Sequence, residues 1–245
     1  QLPGASLTLG HLGEVARLIA ARAWQGVDGV VVVQGTDTIE ETAFVLDCLL
    51  APGLPVVVTG AMRGPETPGA DGPANLTAAV AVAAAPAAHG LGALVVLNDE
   101  VHAARFVRKG HTGLPSAFTS APHGPVGHVI EGRYLPAMRP LRVPLAPLAP
   151  VVEAPPVALL LAGLGDDGRL ITALPALGFR GAVVAATGAG HVPKAWVEPL
   201  AELALAMPVV LSTRVAGGPV FAETYGFPGS ERDLLARGLF GGGML

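Results

Sequence analysis

The sequence predicts an α/β protein whose strands pair in parallel. Short apolar runs alternate along the chain with longer segments of helical period, and none of the runs alternates apolar with polar residues. Strands of that kind are typical of a parallel sheet that is covered on both faces. The chain has 245 residues, of which 51% are hydrophobic. This is enough to bury a substantial core in one large domain or two smaller ones.

The predicted strands are short and apolar: Val30–Val33, Pro55–Thr59, Ala93–Leu97, Val157–Leu161, Ala182–Ala186 and Pro208–Leu211. The predicted helices lie between them: Leu12–Arg22, Thr38–Leu50, Pro73–Ala85, Leu170–Leu177 and Pro193–Ala206. In the second helix, apolar residues recur at three- or four-residue spacing from Ile39 to Leu50 and form one stripe. Right-handed crossovers on such a sheet bring the loops after the strands to one edge, where ligands bind.

A proline-rich segment predicts a boundary between two domains. Residues 139–156, RPLRVPLAPLAPVVEAPP, contain six prolines and have no helical period. Proline cannot donate to a sheet ladder, and proline-rich segments are extended. We therefore expect an N-terminal domain over residues 1–140, a linker over 141–156 and a C-terminal domain over 157–245.

The composition argues against several classes of partner. The chain carries 15 basic and 19 acidic residues, for a net charge of −4, and has no basic run, which disfavours nucleic acid. A single cysteine, Cys48, excludes a disulfide within the chain and a multi-cysteine zinc site. The seven histidines are scattered, so we expect no metal site. The apolar run Ala78–Leu97 is interrupted by Pro86, His89 and Gly90, which favours a short helix, a turn and a strand over a membrane span.

The first candidate site is QGTDT, Gln34–Thr38, where a strand meets the start of a helix. Thr38 and Glu41 have capping-box spacing, so Thr38 is predicted to cap the helix. One cap does not explain Thr36 and Asp37 as well, although strand-to-helix turns routinely carry such residues for structural reasons. Helix N-termini favour anionic ligands or developing negative charge, and a carboxylate beside a hydroxyl can hold an ammonium group or orient a base.

A second candidate, TGAMR (Thr59–Arg63), also ends a strand and is followed by ADGPANL (Ala70–Leu76). Gly60 would let the backbone approach a ligand closely. Either Asp71 or Asn75 is predicted to cap the following helix, and a turn with such a cap is an adequate structural explanation for Asp71.

The third candidate, LNDEVHAARFVRKGHTG (Leu97–Gly113), follows another strand and is predicted to be too polar for the core. It contains Lys109, one of only two lysines in the chain. Such runs are usually solvated faces. Because this one follows the same sheet edge as the other two, Lys109 is a candidate base near Asp37.

In order and spacing, these motifs resemble the bacterial-type L-asparaginase/glutaminase family. The later stretches TGAGHVP (Thr187–Pro193) and STRVAGGPV (Ser212–Val220) look like the motifs of that family's second domain. The resemblance implies a large N-terminal domain of three layers around a parallel sheet, followed by a smaller Rossmann-like domain. It also implies hydrolysis of the side-chain amide of a small-molecule substrate, L-asparagine, without a cofactor, by a homodimer or homotetramer.

The resemblance also assigns roles to individual residues. It implies a catalytic triad of Thr36, Asp37 and Lys109, in which Asp37 also holds the α-ammonium group of the substrate. Thr36 either activates water or is itself a nucleophile, and the sequence does not distinguish the two roles. Ser6 is expected to bind the substrate carboxylate. Gly35 and Ala61 are expected to contribute backbone contacts, with Ala61 facing the amide that is cleaved.

Some features of the family pattern are not in the printed sequence. The family's nucleophilic threonine lies in a TGGT motif on its first strand, followed by a tyrosine on a mobile loop, but the chain contains no TGGT and no tyrosine before Tyr134. We expect these elements to precede Gln1 in the full protein, and a last helix to follow the printed residues. A chain complete as printed would instead be a non-catalytic amino-acid-binding protein. Cytoplasmic location is expected, and preference for asparagine or glutamine stays open.

A dinucleotide-binding loop is the alternative for TGAGHVP. Gly188 and Gly190 have the right spacing, but Pro193 occupies the third glycine position. No acidic residue follows at the distance that ribose binding requires. The motif therefore does not favour a nicotinamide enzyme.

Overall fold

The computed structural model describes residues 2–51, 53–141 and 154–242. They form two compact units, Gln1–Ala154 and Pro155–Leu245. The predicted α/β class is confirmed, with a mixed sheet in the first unit and a parallel sheet in the second. Most of the predicted linker, residues 142–153, lies outside the described residues.

The first unit is built on a six-stranded sheet. The strands of the first unit are β1 (Val30–Val33), β2 (Val56–Thr59), β3 (Ala93–Leu97), β4 (Glu100–Ala103), β5 (Arg108–Lys109), β6 (Phe118–Thr119), β7 (Gly127–Ile130) and β8 (Arg133–Pro136). Its helices are α1 (Leu9–Ala23), α2 (Ile39–Leu49) and α3 (Gly72–Ala83), with 3₁₀ turns at Gly4–Ser6, Thr36–Thr38 and Pro86–Ala88. The sheet order is β1-β2-β3-β4-β7-β8, and β5 and β6 form a separate two-stranded sheet.

Only half of this sheet is parallel. β1, β2 and β3 pair in parallel, whereas the pairs from β3 to β8 are antiparallel. The reversal occurs at Asn98 and Asp99, whose φ angles of 52° and 59° are those of a tight hairpin turn. The prediction that Leu97–Gly113 is too polar for the core is therefore wrong for β4, where Val101, His102 and Ala103 are buried.

Helices cover both faces of the parallel half, as the predicted three layers require. Ile39, Ala43 and Leu46 of the predicted stripe are fully buried, with α1 packed against the same cluster. On the opposite face, α3 packs Ala78 and Val82 against the sheet. Burial of this apolar stripe holds α2 in place, and α2 in turn fixes the turn that precedes it.

The second unit contains a four-stranded parallel sheet in the order β12-β11-β10-β9. Its elements are β9 (Val157–Leu161), α4 (Arg169–Ala173), β10 (Gly181–Ala186), a 3₁₀ turn at Lys194–Trp196, α5 (Val197–Ala206), β11 (Val209–Thr213), α6 (Glu231–Ala236) and β12 (Phe240–Gly241). The helices pack on one face, where Leu160, Val184 and Leu211 are buried. Leu159 and Leu161 on the other face are 75% and 61% exposed, so the prediction that both faces are covered is wrong for β9.

The length and apolarity of the observed helices test the alternative that the chain spans a membrane. In the described parts of the chain, no helix is both long enough and apolar enough to cross a bilayer. The apolar run from residue 78 to residue 97 divides into the end of α3, a 3₁₀ turn and β3.

Candidate active site

Two of the candidate turns lie side by side because their strands are neighbours. β1 and β2 are parallel, with Val33 opposite Thr59 at their carboxyl ends. A Cβ atom added to Gly60 would lie 2.4 Å from the carbonyl oxygen of Gln34, so the two backbones meet where no side chain fits. The QGTDT and GAMR motifs are therefore in direct contact.

Lys109 reaches the same place from β5. Its Nζ donates to Thr36 Oγ1 at 2.9 Å and to Asp37 Oδ1 at 3.2 Å. The Lys109 side chain is 18% exposed, whereas that of Asp37 is 65% exposed. The three predicted catalytic residues are thus in one hydrogen-bonded cluster, and their catalytic role stays a prediction. An amine between a hydroxyl and a carboxylate can transfer protons, and the exposed carboxylate is open to a cationic ligand.

The segment before the turn contains Ser6. The Thr38 hydroxyl donates to the carbonyl oxygen of Gly4 at 3.0 Å, which fastens the Gly4–Ser6 turn to the start of α2. The prediction that Thr38 caps α2 is wrong, because its side chain makes no capping hydrogen bond. Gly4 packs against Gly35, since an added Cβ would lie 3.0 Å from the Gly35 oxygen. Ser6 is exposed two residues further on.

The turn that contains Ala61 is held by Asp71. The Asp71 carboxylate accepts hydrogen bonds from the backbone N–H groups of Met62 at 3.0 Å and Arg63 at 2.9 Å. It makes no capping hydrogen bond to α3, so the predicted cap is wrong. Partial burial alone would raise the pKa of Asp71, but the hydrogen bonds from Met62, Arg63 and Asn75 hold it below its ordinary value.

Asn75, on α3, joins this turn to the next one. Its Nδ2 donates to the carbonyl oxygen of Gly60 at 3.0 Å, and its Oδ1 accepts from the Asn98 N–H at 2.9 Å. Asn75 is buried. One amide side chain therefore sets the distance between the GAMR turn and the turn that follows β3.

Two acidic residues on α2 hold the segment that carries Lys109. The Glu40 carboxylate accepts a hydrogen bond from the backbone N–H of Lys109. Asp47 accepts from Arg105 Nε at 3.3 Å and from the Ala93 N–H at 2.9 Å. Neither role was predicted from the sequence. The only signal for Glu40 in the sequence is its position at the start of the predicted helix, three residues after Asp37.

Comparisons with known proteins identify the family of the chain. The sequence profile described as "Asparaginase, N-terminal" matches residues 1–140, and "Glutaminase/Asparaginase C-terminal domain" matches residues 156–245. The chain is 38% identical to a probable L-asparaginase of Deinococcus radiodurans, over 97% of this chain and 72% of that protein. It is 34% identical to an L-asparaginase of Bacillus licheniformis, over 98% of this chain and 74% of that protein.

A solved structure is similar over the whole chain. The crystal structure of a probable cytoplasmic L-asparaginase from Campylobacter jejuni superimposes with a TM-score of 0.91 and 32% identity, and the match covers 100% of this chain and 75% of that one. Both halves of the sequence and the fold therefore have the same relatives. The chain belongs to the asparaginase family.

Proposed function

We propose that this protein hydrolyses the side-chain amide of L-asparagine to L-aspartate and ammonia. The observation that carries the proposal is the contact of Lys109 Nζ with both Thr36 Oγ1 and Asp37 Oδ1. Membership of the asparaginase family and the names of the relatives support the same reaction.

The proposed chemistry begins with attack of a hydroxyl oxygen on the carboxamide carbon. The family resemblance supplies this nucleophile as a threonine of the TGGT strand. Backbone N–H groups near Thr36 and Ala61 stabilise the oxyanion, a contribution of about 3–4 kcal/mol for each donor in comparable sites. The carbon–nitrogen bond then breaks, and the leaving nitrogen takes the proton that the attacking hydroxyl has lost and departs as ammonia. What remains is an acyl-enzyme ester.

Water completes the reaction by cleaving this ester. In the proposal, Thr36 Oγ1 takes a proton from the attacking water while its own hydroxyl proton moves to Lys109 Nζ, which is a neutral amine at this step. That proton then returns to the leaving oxygen of the nucleophilic threonine. At 2.9 Å, Thr36 Oγ1 and Lys109 Nζ are at hydrogen-bond distance, as proton transfer requires. Asp37 balances the positive charge on the amine through its contact with Nζ. The products are the aspartate side-chain carboxylate and the regenerated threonine hydroxyl.

Substrate binding is assigned to the surrounding turns. The exposed carboxylate of Asp37 binds the α-ammonium group, and Ser6 binds the α-carboxylate. The backbone at Gly35 and Ala61 lines the position of the amide. Glutamine is a second substrate in this proposal, because the C-terminal profile describes both glutaminases and asparaginases. A homodimer or homotetramer in the cytoplasm is part of the same proposal.

The test is ammonia release from L-asparagine by the full-length protein and its variants. We expect Thr36→Ala and Lys109→Ala each to reduce kcat by about 10²–10⁴-fold, because each removes a proton-transfer partner. Lys194→Ala is the matched control, since the chain's other lysine is exposed in the second unit. Near-normal turnover in both site variants would end the assignment. Aspartate binding by calorimetry without any hydrolysis would favour a non-catalytic binding protein.

A further inference from the structure

Lys109 is attached to the helix beside it at two points. Its ammonium group donates to Thr36 and Asp37, and its backbone N–H donates to the carboxylate of Glu40. We propose that Glu40 is a positioning residue for Lys109: it fixes the lysine backbone so that Nζ reaches the Thr36 hydroxyl. This inference rests on the proposed function, because it gives Glu40 its effect through the catalytic lysine.

The pairing of β5 explains why this N–H needs a partner. Gly110 donates its N–H to the Ala117 oxygen in the two-stranded sheet. Hydrogen-bonded and non-hydrogen-bonded pairs alternate in an antiparallel ladder, so Lys109, which faces Phe118, points its N–H away from the sheet. A partly buried N–H without a partner is costly. The Glu40 carboxylate supplies that partner.

The positions of Thr36 and Glu40 make the attachment specific. Thr36 lies in the 3₁₀ turn Thr36–Thr38 that leads into α2, and Glu40 lies in the first turn of α2 itself. Thr36 therefore binds the ammonium group of Lys109, while Glu40 binds its backbone N–H. A carboxylate is also favoured at this position by the positive end of the helix.

Docking of the whole segment does not depend on Glu40. Asp47, two turns further along α2, binds the Arg105 guanidinium, and Val107 and Phe118 are buried in the core beside α2. These contacts keep the β5–β6 hairpin on the helix when Glu40 is changed. We therefore expect Glu40 variants to fold, with a change only in the position of Lys109.

The experiment compares steady-state kinetics of the full-length protein on L-asparagine with its Glu40→Ala and Glu40→Gln variants. We expect Glu40→Ala to lower kcat by about 10–100-fold with KM nearly unchanged, because misplacement of a catalytic group by about 1 Å has effects of this size. Glu40→Gln keeps an oxygen acceptor for the Lys109 N–H, so it should recover most of the lost kcat. Glu41→Ala is the matched control, since it removes the same charge from the same helical turn.

The outcomes separate this inference from the proposed function. A wild-type protein that releases ammonia, a severely impaired Lys109→Ala and a near-normal Glu40→Ala would overturn only the role of Glu40. Equal losses in Glu40→Ala and Glu41→Ala would also overturn it, because the effect would then be one of helix charge. A fall in melting temperature without rescue by Glu40→Gln would assign Glu40 a merely structural role. A wild-type protein that releases no ammonia would instead overturn the proposed function.

Discussion

Strands β3 and β9 are both five residues long and entirely apolar, yet they are buried differently. All five residues of β3, ALVVL, are buried. In β9, VALLL, only Ala158 and Leu160 are buried, and the three residues between and around them are exposed. The two sequences are almost interchangeable, so the difference comes from what packs on each sheet.

In the first unit, β3 lies inside the sheet, with α2 on one face and α3 on the other. In the second unit, β9 is an edge strand, and the helices of that unit pack on a single face. The register aligns Leu159, Val183, Val210 and Phe240 in one row across the other face. An apolar run thus identifies a strand, but it does not indicate how many of its faces are covered.

The largest expected effect is a cavity in the doubly covered sheet. Leu94 of β3 is fully buried in the cluster beneath α3. Leu94→Ala should therefore lower the free energy of unfolding by about 2–5 kcal/mol, through lost burial and the cavity left behind. Denaturant titration of the purified variant measures this. A loss below about 1 kcal/mol would mean that β3 is packed no better than β9.

The second-largest expected effect is a loss of stability at low pH in the first unit. His102 of β4 is fully buried, with Nδ1 2.9 Å from Ser120 Oγ and Nε2 3.3 Å from Glu100 Oε2. Burial, and to a smaller extent the charge of His128, lowers the pKa of His102 to about 4. In the unfolded chain, His102 takes up a proton at its ordinary pKa of about 6.5. Between those two values the unfolded state therefore binds more protons than the folded one.

Stability from His102 is thus complete above about pH 6.5 and is lost as the pH falls towards 4. We expect the first unit to lose about 2 kcal/mol between pH 7 and pH 5, and His102→Gln to abolish this dependence. Urea unfolding at the two pH values measures it. An unchanged pH dependence in His102→Gln would contradict the assignment.

The second unit provides the internal control. Glu231 is fully buried there, and although burial alone would raise its pKa, hydrogen bonds from Tyr225, Thr224 and His191 hold the pKa below the ordinary 4.5. Its stabilising effect is present above about pH 4.5 and is lost only below it. The fluorescence of Trp196, which is buried in this unit, should therefore report no Glu231-linked loss of stability between pH 7 and pH 5.

The smallest expected effect is the same leucine-to-alanine change on the open face. Leu159→Ala should lower the free energy of unfolding by less than about 1 kcal/mol, because the side chain is already largely in water. The measurement is the denaturant titration used for Leu94→Ala. A loss comparable to that of Leu94→Ala would show that this face is covered in the folded protein.

The strands whose bounds were predicted best consist of aliphatic residues only. The predicted bounds of Val30–Val33, Ala93–Leu97 and Val157–Leu161 agree with the structure. The antiparallel half of the six-stranded sheet was not predicted, because its strands are short and combine polar with apolar residues, as in GHVI of β7. The turn between β3 and β4 uses Asn-Asp rather than the stronger hairpin signal Asn-Gly.

In the site too, some contacts could be predicted from the sequence and others, made with distant segments, could not. The meeting of the first two motifs was predictable because loops after neighbouring parallel strands share one edge of a sheet. The route of Lys109 was not, because it lies on β5 of a separate sheet, after the chain has reversed through β4. The partners of Glu40 and Asp71 were not, because each carboxylate accepts a backbone N–H from a distant segment or a facing turn. In the sequence, both residues look like ordinary acids at a helix start.

The contact at Gly60 also limits how the site can be redesigned. The Gln34 carbonyl oxygen lies so close to Gly60 that any substituent at residue 60 would collide with it. Substitution at residue 60 therefore cannot give variants that accept bulkier amides. Room has to come from exposed residues nearby, such as residues 64–69, which follow the GAMR motif and where side chains can be exchanged without moving the sheet.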